Sequence, residues 1–236
     1  MTKKLFLITT ISAFALSFAG CSASFSTNST KPATNTAATP AAAANKPATN
    51  TAAAKKPEAP KTVLKDEKKP ADVKAKQVKD VPVPASWISM YDEQKGYGFS
   101  VPEGTTGGSE TTEGIDVFTA TTPAPNEISI FVLAYKDKSL TKEDLLNHAV
   151  LFLEGLGVKV TPGTLKGESD DYSVADATTV DSNGNKEKQR ILVGTDVSDN
   201  YVMILNTPED KFAANEKTID EIWGSFEMWS GGASNN

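Results

Sequence analysis

Downstream of residue 96 the apolar positions follow two periods, and each predicts an element. Tyr97–Val101 (YGFSV), closed by Pro102, reads as a strand, and Ile115–Ala120 (IDVFTA) as a second. Ile128–Tyr135 (ISIFVLAY) is apolar on both sides. Ile128, Ile130 and Val132 point one way, and Phe131, Leu133 and Tyr135 the other. Such a strand needs cover on both faces, which predicts a central place in a sheet. The period then changes to helical. Leu145, Ala149, Phe152 and Leu156 share one face, widened by Leu146, Val150 and Leu153. Thr141 is the expected N-cap with Asp144 at N3, Leu140 and Leu145 stand at staple spacing, and Gly155 and Gly157 supply the stop.

Alternation resumes at Tyr172–Val180 and Gln189–Thr195, with Asn183-Gly184 between them as a hairpin signal. Tyr201–Asn206 (YVMILN) is again apolar on both sides, and its short connection makes it an antiparallel neighbour. A second helix is expected from Thr207, with Thr207 as cap, Pro208 at N1 and Glu209 and Asp210 in the first turn. Its apolar stripe is Phe212, Ile219, Ile222 and Trp223, and Ser225–Trp229 reads as a last short strand. The Gly-rich stretch Gly104–Gly114 reads as a mobile surface loop, and 231–236 as a frayed tail.

The first 85 residues have neither period. Lys3 and Lys4 precede an uncharged, mostly apolar run from Leu5 to Gly20, too short for a membrane span and suited to the core of a secretory signal. Residues 22–85 are rich in Ala, Thr, Lys, Pro and Asn, with eight prolines and one aromatic residue, Phe25. The string KPATNTAA occurs at 31–38 and again at 46–53. Such a chain buries too little apolar area to offset its ordering entropy, so residues 21–85 are expected to form a disordered tether. Sixty-four flexible residues span roughly 45 Å r.m.s. and roughly 200 Å when drawn out.

The apolar run ends Phe18-Ala19-Gly20-Cys21, which resembles the lipobox of bacterial lipoproteins, with Phe18 in place of the usual Leu. The resemblance implies cleavage of 1–20 as signal peptide and acylation of the Cys21 thiol, by chains of the palmitate kind. Two or more chains on one residue give stable anchoring where one chain is marginal. Cys21 is the only cysteine, so an intrachain disulfide is excluded. The expected location is a bacterial cell envelope: the outer membrane if the source has two membranes, since Ser22 rather than Asp follows the cysteine, and otherwise the outer face of the plasma membrane.

Charge divides the chain in two. The whole carries −6, but residues 1–85 carry +8 and residues 86–236 carry −14. The acidic half repels phosphate, so nucleic acid is not an expected partner. One histidine, His148, and one arginine, Arg190, leave no material for a His-based zinc site, a triad with a spare His or an Arg-clamped phosphate site. No cofactor is expected, and the chain reads as a non-enzyme. Asp181–Asn185 superficially resembles a calcium loop, but the sixth-position Gly and twelfth-position Glu are missing, so a hairpin turn is the reading. The acidic groups Glu168, Asp170 and Asp171, and Asp196 and Asp199, read as solvated loop acids. Met228 and Trp229 are the candidate interface, as an exposed apolar pair near the end of the fold.

GYGFSVPEG at 96–104, a helix after a strand apolar on both faces, a meander, and YVMILNTPEDKFAANEKTIDEIWGSF at 201–226 form an ordered series. It resembles the PsbP-like superfamily, above all its bacterial secreted and lipoprotein members. The resemblance implies an α+β fold, an α/β/α sandwich with a central, mainly antiparallel sheet, over residues 86–230. It implies binding rather than catalysis, because the shared motifs are core and cap positions and carry no catalytic residue. The expectation is therefore an envelope lipoprotein held to the membrane through lipid on Cys21, its domain a non-catalytic module for an unidentified envelope protein. The alternative is a binder of a small apolar or lipidic ligand between sheet and helix. A hydrolase would have His148 as its only imidazole.

Overall fold

The computed structural model describes residues 62–70, 75, 77–112, 115–135, 137, 139–195 and 199–229, all within one compact unit, Asn50–Asn236. Its strands are β1 (Trp87–Asp92), β2 (Tyr97–Pro102), β3 (Thr106–Thr112), β4 (Ile115–Thr121) and β5 (Ser129–Tyr135), then β6 (Lys159–Pro162), β7 (Lys166–Gly167), β8 (Tyr172–Val180), β9 (Lys186–Thr195), β10 (Asn200–Pro208) and β11 (Glu227–Met228). Helix α1 (Lys142–Gly155) follows β5, and α2 (Phe212–Gly224) follows a 3-10 turn at Glu209–Lys211. Among the described residues the strands form two antiparallel sheets. The large one runs β3-β4-β5-β10-β9-β8-β6, with β7 also on β8, and the small one β1-β2-β11.

The double-sided strands sit at the centre, side by side. β5 and β10 pair from Ser129↔Asn206 to Tyr135↔Asn200. One face of the large sheet, with Ile128, Ile130, Val132, Leu192 and Met203, is covered by the small sheet and by α2 through Phe212, Ile219, Ile222 and Trp223. The other face, with Phe131, Leu133, Ile191, Val202 and Ile204, is covered by α1 through Leu145, Ala149 and Leu153. The fold is thus α+β, with the large sheet between two covering layers.

Local chemistry starts α1 where the sequence places it. The Thr141 hydroxyl accepts from the Asp144 N–H at 3.1 Å, and the Asp144 carboxylate accepts from the Thr141 N–H at 2.9 Å. The Thr141 N–H first, and second the Thr141 hydroxyl donating to the same carboxylate at 2.7 Å, hold the Asp144 carboxyl below the ordinary Asp value. The second helix departs from expectation. β10 continues through Pro208, and Thr207 is a buried strand residue opposite Lys188 rather than a cap. Its hydroxyl accepts from the Asn215 amide at 2.9 Å. Pairing with β9 satisfies more backbone groups than an early helical turn would, and the helix then opens at Phe212.

Two further stretches differ from the sequence reading. Thr106–Thr112, expected as a mobile loop, is strand β3. A Cβ at Gly107 would stand 2.5 Å from the Thr119 carbonyl oxygen, so glycine there permits the close approach to β4 rather than marking a loop. The ordered structure also begins well before residue 86. Thr62 and Leu64 pair with the start of β3: the Gly107 N–H donates to the Thr62 carbonyl and the Leu64 N–H to the Thr105 carbonyl. Asp66 and Glu67 lie along β1, accepting from the Ser89 and Tyr91 N–H groups at 2.9 and 2.8 Å. Val78 and Lys79 donate to Phe226 and Gly224, and Gln77 bridges Glu227. Leu64 and Val78 pack on the core. Residues 62–70 and 77–79 therefore form a strap across the small-sheet side. Main-chain pairing needs no hydrophobic period, which is why the composition of this stretch reads as tether.

Candidate functional site

The polar interior of the fold is concentrated where β8, β9 and β10 pass the end of α1. On these strands Ala177, Ile191, Val193, Val202 and Ile204 face α1. By pleat alternation Thr179, Gln189 and Asn206 face the same way. All three are buried, at 1%, 0% and 3% exposure. The Gln189 amide donates to the Thr179 hydroxyl at 2.7 Å and to the Asn206 side-chain oxygen at 2.6 Å. Asn206 in turn donates to the Glu187 carboxylate at 2.8 Å. The Gln189 side-chain oxygen is buried and finds no hydrogen-bond partner among the described residues. An unmet acceptor of this kind costs about 1–3 kcal/mol, so this row of amides is not explained by packing alone.

The row flanks a cavity of about 280 Å³. One wall is apolar: Phe131 of β5, Leu153 of the last turn of α1, Leu156 at its C-cap, and Val158 beyond it. The other is polar: Thr179, Glu187, Asn206 and the β8–β9 turn from Asp181. That turn is preorganised. Asp181 accepts from the Asn183 and Asn185 N–H groups and from the Asn185 amide, each at 2.8 Å. The Asn185 side chain, then its backbone N–H, keeps the Asp181 carboxyl below the ordinary Asp value. Gly184 takes φ +84°, the left-handed conformation an Asn-Gly turn requires.

The residues singled out from sequence are placed elsewhere. Cys21, the 1–20 signal and most of the tether lie outside the described residues. Met228 is 8% exposed and belongs to the core, and Trp229 is half-buried. The Trp229 ring lies 6.2 Å from that of Tyr91, and its N–H donates to the Gly96 carbonyl. The expected exposed pair is corrected on this ground: β11 docks on β2 and buries Met228, and Trp229, just beyond it, is half-buried against Tyr91. His148 is half-buried with its ring 5.0 Å from Tyr135, whose hydroxyl burial pushes up to about 12. Arg190 donates to Asp176 and Asp220. Lys142 donates to the Ser169 and Asp170 carbonyls, and Glu168 pairs with Lys79 at 3.3 Å. Among the described residues no group of three His, Cys, Asp or Glu side chains is arranged to hold a metal. The sequence reading offered a small-ligand site between sheet and helix but assigned to it none of the residues that line this cavity. Its signal is polar Gln189 and Asn206 at inward positions, two residues from Ile191 and Ile204.

No family model matches the chain, and no curated protein matches it. Solved structures similar to it include cyanobacterial PsbP (CyanoP) from Synechocystis sp. PCC 6803, 15% identical with TM-score 0.49, covering 64% of this chain and 96% of that one. The Ran-binding protein Mog1p of Saccharomyces cerevisiae is 15% identical with TM-score 0.41, covering 59% and 94%. LpqN, involved in cell envelope biogenesis of Mycobacterium tuberculosis, is 17% identical with TM-score 0.32, covering 67% and 88%. At TM-scores below 0.5 these likenesses carry no argument about this chain.

Proposed function

We propose that the protein is a lipid-anchored component of a bacterial cell envelope, held through Cys21, whose folded domain engages another envelope protein without catalysis. The observation that carries the reading is the lone cysteine directly after Phe18-Ala19-Gly20, at the end of a basic-then-apolar leader. The strap shortens the connection between anchor and domain to residues 22–61, which covalent geometry limits to about 140 Å. Cell fractionation of Cys21→Ser tests the anchor: the variant leaves the membrane pellet, and its retention after a high-salt wash refutes lipidation. Crosslinking in intact cells then tests the partner, and repeated capture of none counts against an interaction module.

A second reading is favoured by the cavity. A small molecule lodged between α1 and the large sheet would use an apolar wall and a polar wall already in place. Native mass spectrometry of the purified protein reads such a ligand as added mass.

A further inference from the structure

The strap is held as a strand is held, by sheet edges. β1 and β11 are the two edges of the small sheet, and β3 is an edge of the large one. Val63 bridges Thr106 on β3, the Glu67 N–H donates to the Ser89 carbonyl on β1, and Gln77 bridges Glu227 on β11. A single segment thus covers three edges that would otherwise present unpaired backbone groups. It also completes the interior, since Lys69 supplies a cation for the Glu227 carboxylate. Residues 80–86, DVPVPAS, join it to the fold. The chain turns tightly at both ends of this connection: the Val81 N–H donates to the Lys79 carbonyl and the Trp87 N–H to the Pro84 carbonyl, each at 2.9 Å. Between the turns Pro82 and Pro84 have fixed φ, and Val81 and Val83, each before a proline, are biased to extended backbone. A Val-Pro-Val-Pro run favours a straight polyproline rod, so the closed strap stands on a stiff piece turned back at both ends. Opening the turns swings the strap off its own domain and keeps it intact as a ready-made set of edge strands.

We propose that two copies of this chain exchange straps: each strap lies on the β3, β1 and β11 edges of the other copy, and Lys69 of one pairs with Glu227 of the other. A second copy is the partner whose fit is already built, because its edges repeat the register of the first residue for residue. The exchanged form keeps every strap contact, releases the two turns of the connection, and meets the entropy of association. The balance therefore shifts toward the dimer as concentration rises.

Val63 and Thr106 report which copy a strap lies on. The Leu64–Thr105 and Gly107–Thr62 bonds flank them, which makes them a non-hydrogen-bonded antiparallel pair, close enough for a disulfide. Val63 is 58% exposed, so replacing it leaves the core intact. The full-length chain with Cys21→Ser, Val63→Cys and Thr106→Cys is incubated at rising concentration, oxidised, and read by non-reducing electrophoresis. A strap on its own domain gives an intrachain bond, and an exchanged strap joins two chains. The expected result is a covalent dimer whose ratio to monomer about doubles with each doubling of concentration while monomer dominates. A Val63→Cys chain mixed with a tagged Thr106→Cys chain, both in the Cys21→Ser background, is expected to crosslink, whereas neither does so alone. Adding Pro82→Ala and Pro84→Ala to the double-cysteine chain frees the connection to bend and lowers the dimer share. An intrachain bond alone at every concentration overturns the exchange. So does the absence of any bond, which shows that the strap does not lie on β3, and so does a Val63→Cys chain that dimerises by itself as readily as the mixture.

Discussion

Lys69→Ala tests whether the strap is part of the fold. Lys69 donates to the Glu227 carboxylate at 2.6 Å. The lysine side chain is 36% exposed and the carboxylate 4%. Removing the ammonium leaves a carboxylate in the interior with its charge uncompensated. A hydrogen bond to a charged group contributes about 1.5–3 kcal/mol. Two features put this pair at the low end of that range: the lysine end is partly solvated, and the Tyr91 hydroxyl remains as a partner for Glu227. The expected loss is therefore about 1.5–2 kcal/mol, which lowers Tm by about 3–8 °C for a chain of this size. Circular dichroism reads the Tm. Limited trypsinolysis reads the location, since cleavage after Lys65 and Lys68 requires the strap to open. The variant is cut there faster than wild type. Adding Glu227→Gln recovers part of the stability, because a neutral amide needs no counter-charge. If the Tm stays within about 1 °C and the cleavage pattern is unaltered, the strap contributes nothing and the fold begins at residue 86, as composition alone suggests.

Trp223, 2% exposed on α2, donates from its indole to Asp220 and lies under Lys79 at 4.0 Å. Trp223→Ala is expected to cost about 3–5 kcal/mol, and an unchanged melting temperature would remove α2 from the core. Thr141→Ala deletes the α1 capping box for about 1 kcal/mol, read by urea denaturation. Gly184→Ala meets no atom within 4 Å, so its cost of about 1–2 kcal/mol is that of the left-handed backbone alone, and Gly184→Asn should cost less. Asp144 and Asp181 both have carboxyls below the ordinary Asp value of 3.8. The stability they add is fully present above that value and is lost as pH falls through their folded-state values, so the acid limb of a Tm–pH profile is shallower in Asp144→Asn/Asp181→Asn. Equal slopes would show that the bonds to the two carboxylates do not form.

The central features were legible because each is local. Ile128–Tyr135 and Tyr201–Asn206 are apolar on both sides, and a strand with two apolar faces has nowhere to go but the middle of a covered sheet. Thr141 and Asp144 satisfy one another three residues apart, and Asp181–Asn185 closes on itself. What the pattern hid is held together across long separations. The strap is recognised by backbone groups, which every residue type has. β3 looks like a loop because the room taken by β4 is visible only once the two are paired. Met228 reads as exposed until β11 is laid against β2. The cavity assembles from β5, α1, β8, β9 and β10, and only its out-of-place amides leave a trace in the alternation.

The strap also decides where force enters the domain. Were the chain held through Cys21 as proposed, a pull on it would arrive at Thr62 and meet the Thr62–Gly107 and Leu64–Thr105 bonds, then Asp66 and Glu67 on β1, then the Lys69–Glu227 pair. Val78 and Lys79, bonded to Phe226 and Gly224, come next along the chain, ahead of Trp87. Under the proposed anchoring, the strap would then act as a mechanical fuse between the anchor and the sheets.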